Sequence, residues 1–379
     1  MASRVYGDRE IELLRAVLGS GNLGALSGEF TPRFEAEFAE MMGTKHAVAM
    51  NSAMSVLHSS VICADAGAGD EVICDPVFVF GALAALYNNA VPKFVDIEPD
   101  SHNMDPDKLE AAITEQTKAV IVTHAWGLPA RMDRIVEIAH RHNLIVIEDI
   151  AHAILAKCKG RYTGSWGDIG SFSFQASKQM SLGDGGMATT SDEELSKKLD
   201  LNAGAPTFFA VAHGVHYNYR MNELTSAVGI AQLERLPELI RGLQANAKHF
   251  DEAVAGCKWI ELQAAPDAES TYHFWAASFR GEEHGLSLEE FSKALQASEC
   301  GVGIGYTGMT SYQHPVIKDR LAHAFHCGHV KEKVEYPEGL CFIAEHAIPR
   351  MLLAYTLQPE DNAKASAERL NQLIAKLEG

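Results

Sequence analysis

Along the first half of the chain, short apolar runs alternate with stretches whose apolar residues recur every three or four positions. Runs at 46–50, 71–74, 93–96, 119–123, 144–147 and 169–174 carry the mark of buried strands. Between them lie helical patterns. Ile11, Leu14, Val17 and Leu18 share one helix face that Gly19 can end. Thr31-Pro32 starts a second helix, with Thr as N-cap and Pro at the first helical position; Phe34, Phe38 and Met41 follow, and Gly43 stops it. Asn51 to Ser55 opens a third helix, and others are expected over 105–113, 132–142 and 192–201. The run 77–87 is apolar on every side and reads as buried. A long helix opens at Asn218-Tyr219-Arg220, with Leu224, Ala227, Val228 and Ala231 along one face. This alternation predicts an α/β fold, a three-layer, mostly parallel sheet covered on both faces. From about residue 251 the pattern is mixed, with strands over 272–279 and 302–306 and helices over 287–297 and 359–377. The chain therefore divides into a large domain, 1–250, and a smaller α+β C-terminal domain, 251–379.

Composition narrows the classes. A chain of 379 residues has room for two domains, and 47% hydrophobic with 22% charged residues is globular. A formal charge of −18 argues against sequence-independent binding to nucleic acid or to an anionic membrane, both of which need a basic surface. The first residues carry Arg4, Asp8, Arg9 and Glu10 with no apolar core, so they are not a secretory signal, and no run approaches membrane-spanning length. Seven scattered cysteines, without a CxxC pair, read as reduced thiols of a cytoplasmic protein. His323, His326 and His329 lack an accompanying ligand set and read as a solvated segment, so no metal site is expected.

Candidate chemistry centres on SFSFQASKQMSLGDGGM, residues 171–187. Lys178 follows a predicted strand end, and on this window alone an ordinary solvated cation is the commoner reading. A second strand, 144–147, runs directly into Glu148-Asp149. If both strands lie parallel in one sheet, lysine and acid converge at the carboxyl edge, where open α/β sheets bind ligands. Pyridoxal phosphate needs that pair: an amine to form a Schiff base with its aldehyde, and a carboxylate to keep its pyridine nitrogen protonated. The helix opening after strand 46–50 offers free N–H groups to a phosphate, although a plain serine cap explains the same residues. No GxGxxG follows the first strand, where the sequence is NSAMSV, which sets aside a nicotinamide-dependent oxidoreductase.

Three segments, FSFQASKQMSLGDGG, EDIAHA at Glu148 to Ala153 and NYRMNE at Asn218 to Glu223, resemble in order the sugar aminotransferases of the DegT/DnrJ/EryC1/StrS family, which have the type I aminotransferase fold. The likeness runs from about Gly21 to the C-terminus. It implies that Lys178 holds pyridoxal 5'-phosphate as an internal aldimine, with pyridoxamine phosphate as the intermediate, and that Asp149 meets the ring nitrogen. It further implies that Phe80 stacks on the pyridine ring, that His152 lies near the ring hydroxyl, and that Ser173 holds the phosphate. Ala53 and Met54 would add backbone N–H groups to the phosphate, Met54 standing where the family usually has threonine, and Ser52 or Ser55 would add a hydroxyl. Asn218 matches an asparagine that reaches the phosphate of a neighbouring subunit, which implies a homodimer with shared active sites. Tyr306 and His346 match regions that line substrate pockets.

The resemblance implies a ping-pong transfer of an amino group from a small-molecule donor, L-glutamate or L-glutamine, to a keto-sugar or keto-cyclitol, often nucleotide-linked. Family dehydratases have histidine in place of the lysine, and Lys178 argues against that branch. Enzymes making 3-amino-5-hydroxybenzoate remain an alternative through AHA at Ala151 to Ala153 and FSFQ at Phe172 to Gln175. A non-catalytic regulator of the same fold is a third reading; Lys178, Asp149 and Ser173 weigh against it, Met54 for it. His124, on a loop, reads as structural. Residues 202–216, rich in Gly, Ala and aromatics, read as a loop able to cover an active site.

Overall fold

A computed structural model describes residues 4–204, 216–326 and 334–378. Its main sheet has seven strands in the order Val91–Phe94, Glu71–Cys74, Thr117–Thr123, Ile145–Asp149, Ile169–Ser173, Gly186–Thr190 and His46–Met50. All neighbours are parallel except at Gly186–Thr190, which runs antiparallel to both of its own. Ile147, Ile169, Phe172 and Met187 are wholly buried, as strands covered on both faces require. The α/β expectation therefore holds, and the sheet directs the ends of its parallel strands to one edge.

A second sheet, wholly antiparallel, orders Ile260–Leu262, Phe274–Phe279, Met351–Tyr355 and Val302–Ile304. The 31-residue helix Glu223–Ala253 serves both sheets. Its Ile230, Leu236 and Leu243 pack with Phe34, Phe38 and Phe172. Further along, Ala247 and Phe250 join Trp275, Phe291 and Leu370. Tyr312, Ile317, Cys341 and Ile348 return to pack against the main sheet's own core.

Three expected helix starts and faces are corrected by tertiary contacts. The second helix is Phe30–Met42 with Glu29 at its N-cap, so Thr31 is not the cap. Its early N–H groups are satisfied from another helix: Glu223 accepts from Phe30 N and Thr31 N, both at 2.8 Å, and from Thr31 Oγ1 at 2.6 Å. In the first helix, Asp8–Ser20, the buried face is Glu10, Leu13 and Val17, whereas Ile11 and Leu18 are exposed. Glu10 turns inward because Gly7 N, Gln232 Nε2 and Arg235 all donate to it. That helix ends at Gly21 in the left-handed region, not at Gly19. The long helix begins at Glu223, five residues after its expected opening at Asn218, because Asn222 caps Thr225 N at 2.9 Å while Arg220 bridges to Met50 in extended backbone. Of the expected covering loop, 202–204 finish the helix Glu193–Gly204 and 205–215 lie outside the described residues, as do Cys327 and His329. Among the described residues no group of three metal-ligating side chains forms, and no helix is long and apolar enough to cross a membrane.

Candidate active site

The carboxyl edge of the main sheet opens onto a cavity of about 440 Å³. At the ends of three neighbouring strands stand Asp75, just past Cys74, and the terminal residues Thr123 and Asp149. Thr123 is the register partner of Asp149, and its Oγ1 donates to Asp75 Oδ2 at 2.6 Å. Asp149 is 3% exposed and accepts from Ala151 N at 3.0 Å. Burial raises its pKa, with Lys178 and then His124 opposing. Lys178 sits five residues past the strand end Ser173, in a turn closed by its own N–H on the Gln175 carbonyl at 2.9 Å. It is half-buried; desolvation lowers its ammonium pKa, and the nearby Asp149 charge works the other way. The edge thus joins a lysine inclined to lose its proton with a carboxylate that gains from a cationic partner.

The helix Ala53–Cys63 points its N-terminus at the same cavity. Ser52 caps it by accepting from Ser55 N at 3.1 Å, and Ser55 Oγ donates to Asn51 at 2.6 Å, so both serine hydroxyls are engaged within the cap. The N–H groups of Ala53 and Met54 are left over. Gly186 makes this approach possible: a Cβ there would lie 2.5 Å from Ser52 C and 2.6 Å from Ala53 N. Ser173 lines the cavity beside this terminus.

Aromatic rings form the walls. Phe80, in the first turn of the helix Val79–Tyr87, lines the cavity and is 45% exposed. Phe78, unremarked in the sequence, is buried 5.6 Å from the Tyr306 ring and 5.4 Å from the His152 ring. Asp75 fixes it by accepting from Phe78 N at 2.8 Å and Val77 N at 2.9 Å; burial still pushes Asp75 up to about 6. Trp126, held at φ 62° in a short turn, packs on Tyr306 at 4.6 Å. His152 stands between Trp126 and His273. His273 is a second residue that sequence reasoning missed, since it precedes a strand far along the chain and reaches the cavity only through tertiary packing.

Of the residues singled out in the sequence, Lys178, Asp149, His152, Phe80, Ala53, Met54, Ser173 and Tyr306 all line this one cavity. Two do not. Asn218 is exposed, its carbonyl accepting from Asn51 at 3.4 Å. His346, on the helix Phe342–Ala347, lies by Arg350 and Glu282. His124 is structural, as expected: fully buried, with Nε2 3.0 Å from Glu148 Oε2 and Nδ1 accepting from Ala130 N. A lysine, a buried carboxylate, leftover helix N–H groups and aromatic walls around one slot fit a flat ring bearing an aldehyde, a basic nitrogen and a phosphate.

A family model for the DegT/DnrJ/EryC1/StrS aminotransferases matches residues 5–332. The chain belongs to this family. The chain is a pyridoxal phosphate-dependent aminotransferase of this family. GDP-perosamine synthase of Caulobacter vibrioides is 39% identical over 278 residues, 71% of this chain and 74% of its own. Among solved structures, the aminotransferase from Psychrobacter cryohalolentis superposes with a TM-score of 0.83 at 26% identity, covering 100% of this chain and 99% of that one. DesV of S. venezuelae, solved in complex with a ketimine intermediate, gives 0.84 at 27% identity, covering 96% and 94%. Family membership and the convergence of Lys178 with Asp149 point to the same chemistry.

Proposed function

We propose that this protein moves an amino group from L-glutamate or L-glutamine to the keto group of a sugar or cyclitol, with Lys178 as the catalytic residue. The observation that carries the reading is that Lys178, with its lowered proton affinity, and the buried Asp149 line one cavity walled by rings and interact electrostatically. Pyridoxal phosphate, when bound, supplies an aldehyde to take up nitrogen and a ring to take up electrons.

The chain's own residues do the rest. Asp149 holds a proton on the ring nitrogen, and the cationic ring in turn offsets the burial of its charge. Ala53 N–H, Met54 N–H and Ser173 hold the phosphate, and Phe80 covers the ring face and keeps water out. Lys178 Nζ is the amine that would hold the cofactor through its aldehyde, and, when free, the base that would take up and return the proton at the donor's Cα. The donor leaves as an oxo acid, and the keto acceptor takes the nitrogen by the reverse steps.

Asn218, exposed and outside its own cavity, supports a homodimer in which it serves the neighbouring protomer's phosphate. The six cysteines among the described residues are free thiols, in keeping with a cytoplasmic protein. Lys178→Ala is expected to keep the wild-type far-UV circular dichroism and lose transfer of labelled amino nitrogen by roughly a thousandfold or more. Substantial transfer by that variant would overturn the assignment.

A further inference from the structure

Three rings stack at the cavity wall. His152 lies 5.6 Å from Trp126 at 18° between planes and 4.4 Å from His273 at 21°. All three are buried. Nδ1 of each histidine is sealed away without a partner, so each ring meets the cavity by its other edge.

The segment that brings His273 here is held in an unfavourable shape from several sides. Tyr272 sits at φ +46°, a region that costs a non-glycine residue about 1 kcal/mol or more. Thr271 N donates to the Gly127 carbonyl at 3.0 Å, and Gln179 Nε2 donates to the Thr271 carbonyl at 2.9 Å. Gln244 Nε2 donates to Ser270 O at 2.9 Å, and Thr356 Oγ1 donates to Tyr272 O. Gly127 must be glycine for this approach: at φ +111° its Cβ would lie 2.6 Å from Tyr272 N and 2.8 Å from His273 N. Donors from a turn, a helix and a strand end, a strained backbone and a required glycine converge on placing one imidazole flat against another.

We infer that His273 is a positioning residue for the transfer reaction: its ring clamps His152 against Trp126 and keeps the His152 ring uncharged and in one plane beside the cofactor. This rests on the reading that places the cofactor in this cavity. Two imidazoles at 4.4 Å cannot both carry a proton cheaply, and Lys178 adds positive charge on the same side. Burial first, then His273 and Lys178, hold His152 well below the usual histidine range. Around His273 itself the charged and titratable neighbours are Lys178, Arg4, His152 and the Tyr355 ring at 6.3 Å. An uncharged His152 can take a hydrogen bond or give one at the cofactor without competing with Asp149 for the ring's charge.

The test compares His273→Phe with His273→Ala in the holoenzyme. Phe keeps a flat ring of similar size, and its face favours a cation. The Phe variant should keep the plateau rate within about threefold, while the acid limb of its kcat profile moves up by roughly half to one pH unit, because His152 now protonates more readily. The Ala variant should lose about tenfold or more in kcat, with the KM of the amino donor little changed. A packing role alone would leave the Phe acid limb where it is in the wild type, and that result overturns the inference, as does an Ala variant with wild-type kcat. Histidine NMR of the wild-type holoenzyme needs no variant: His152 should stay neutral from pH 8 to pH 5, and its protonation within that range would also overturn it. Failure of the cofactor reading is separate, since there the wild type would not take up the cofactor on Lys178 at all.

Discussion

At the scale of single residues, charge burial is concentrated where parallel strands end. Asp75 shows how its cost is met. Its carboxylate takes donors from Val77 N, Phe78 N and Thr123 Oγ1, yet burial keeps its folded pKa at about 6 against 3.8 in the open chain. The folded state therefore binds the proton more tightly, and the penalty for the charge is absent below pH 3.8, grows between the two values and is full above about 6. Its full size is roughly 3 kcal/mol. Asp75→Asn keeps the acceptor for Val77 and Phe78 without the charge. Urea denaturation should show this variant gaining about 2 kcal/mol on the wild type between pH 4.5 and 7.5; an unchanged difference across that interval would mean that Asp75 carries no such burden. The pairing of Lys178 with Asp149 was legible in the sequence because each lies at or shortly past the end of a recognisable strand. Phe78 and His273 were not, since a ring's direction and a partner from another sheet leave no local trace.

At the scale of elements, the apolar periodicities located most strands and helices, and errors gathered where a side chain from elsewhere sets an end. Glu223 is the clearest case. A carboxylate at the start of one helix terminates another, so Thr31 looked like a cap while its hydroxyl was committed to Glu223 and Ser226. Gly28 leaves the room: a Cβ there would run into the Glu223 carboxyl group. Glu223→Ala leaves Phe30 N, Thr31 N and a buried hydroxyl to find new partners, and should cost roughly 2–4 kcal/mol. Thermal and urea unfolding would read this directly, and a loss below about 0.5 kcal/mol would show that water replaces the carboxylate. The strand Met351–Tyr355 escaped notice for a related reason. It follows a proline and a short turn, and only pairing on both sides makes it the centre of its sheet.

At the scale of the whole molecule, residues from 52 to 306 are gathered into one cavity, and the long helix Glu223–Ala253 ties the main sheet to the second one. Burial then tunes the cavity's groups in opposite directions, lowering Lys178 and raising Asp149, so each gains from a cofactor that accepts an amine and offers a cation. The most direct test is the visible absorbance of the purified protein with pyridoxal phosphate, recorded before and after adding L-glutamate or L-glutamine. A band from lysine-bound cofactor should appear in the wild type, be missing in Lys178→Ala, and fade with one of the two amino acids as an equal amount of oxo acid is released. If no such band forms in the wild type, or it persists unchanged with both amino acids, the account of Lys178 and its donors is wrong.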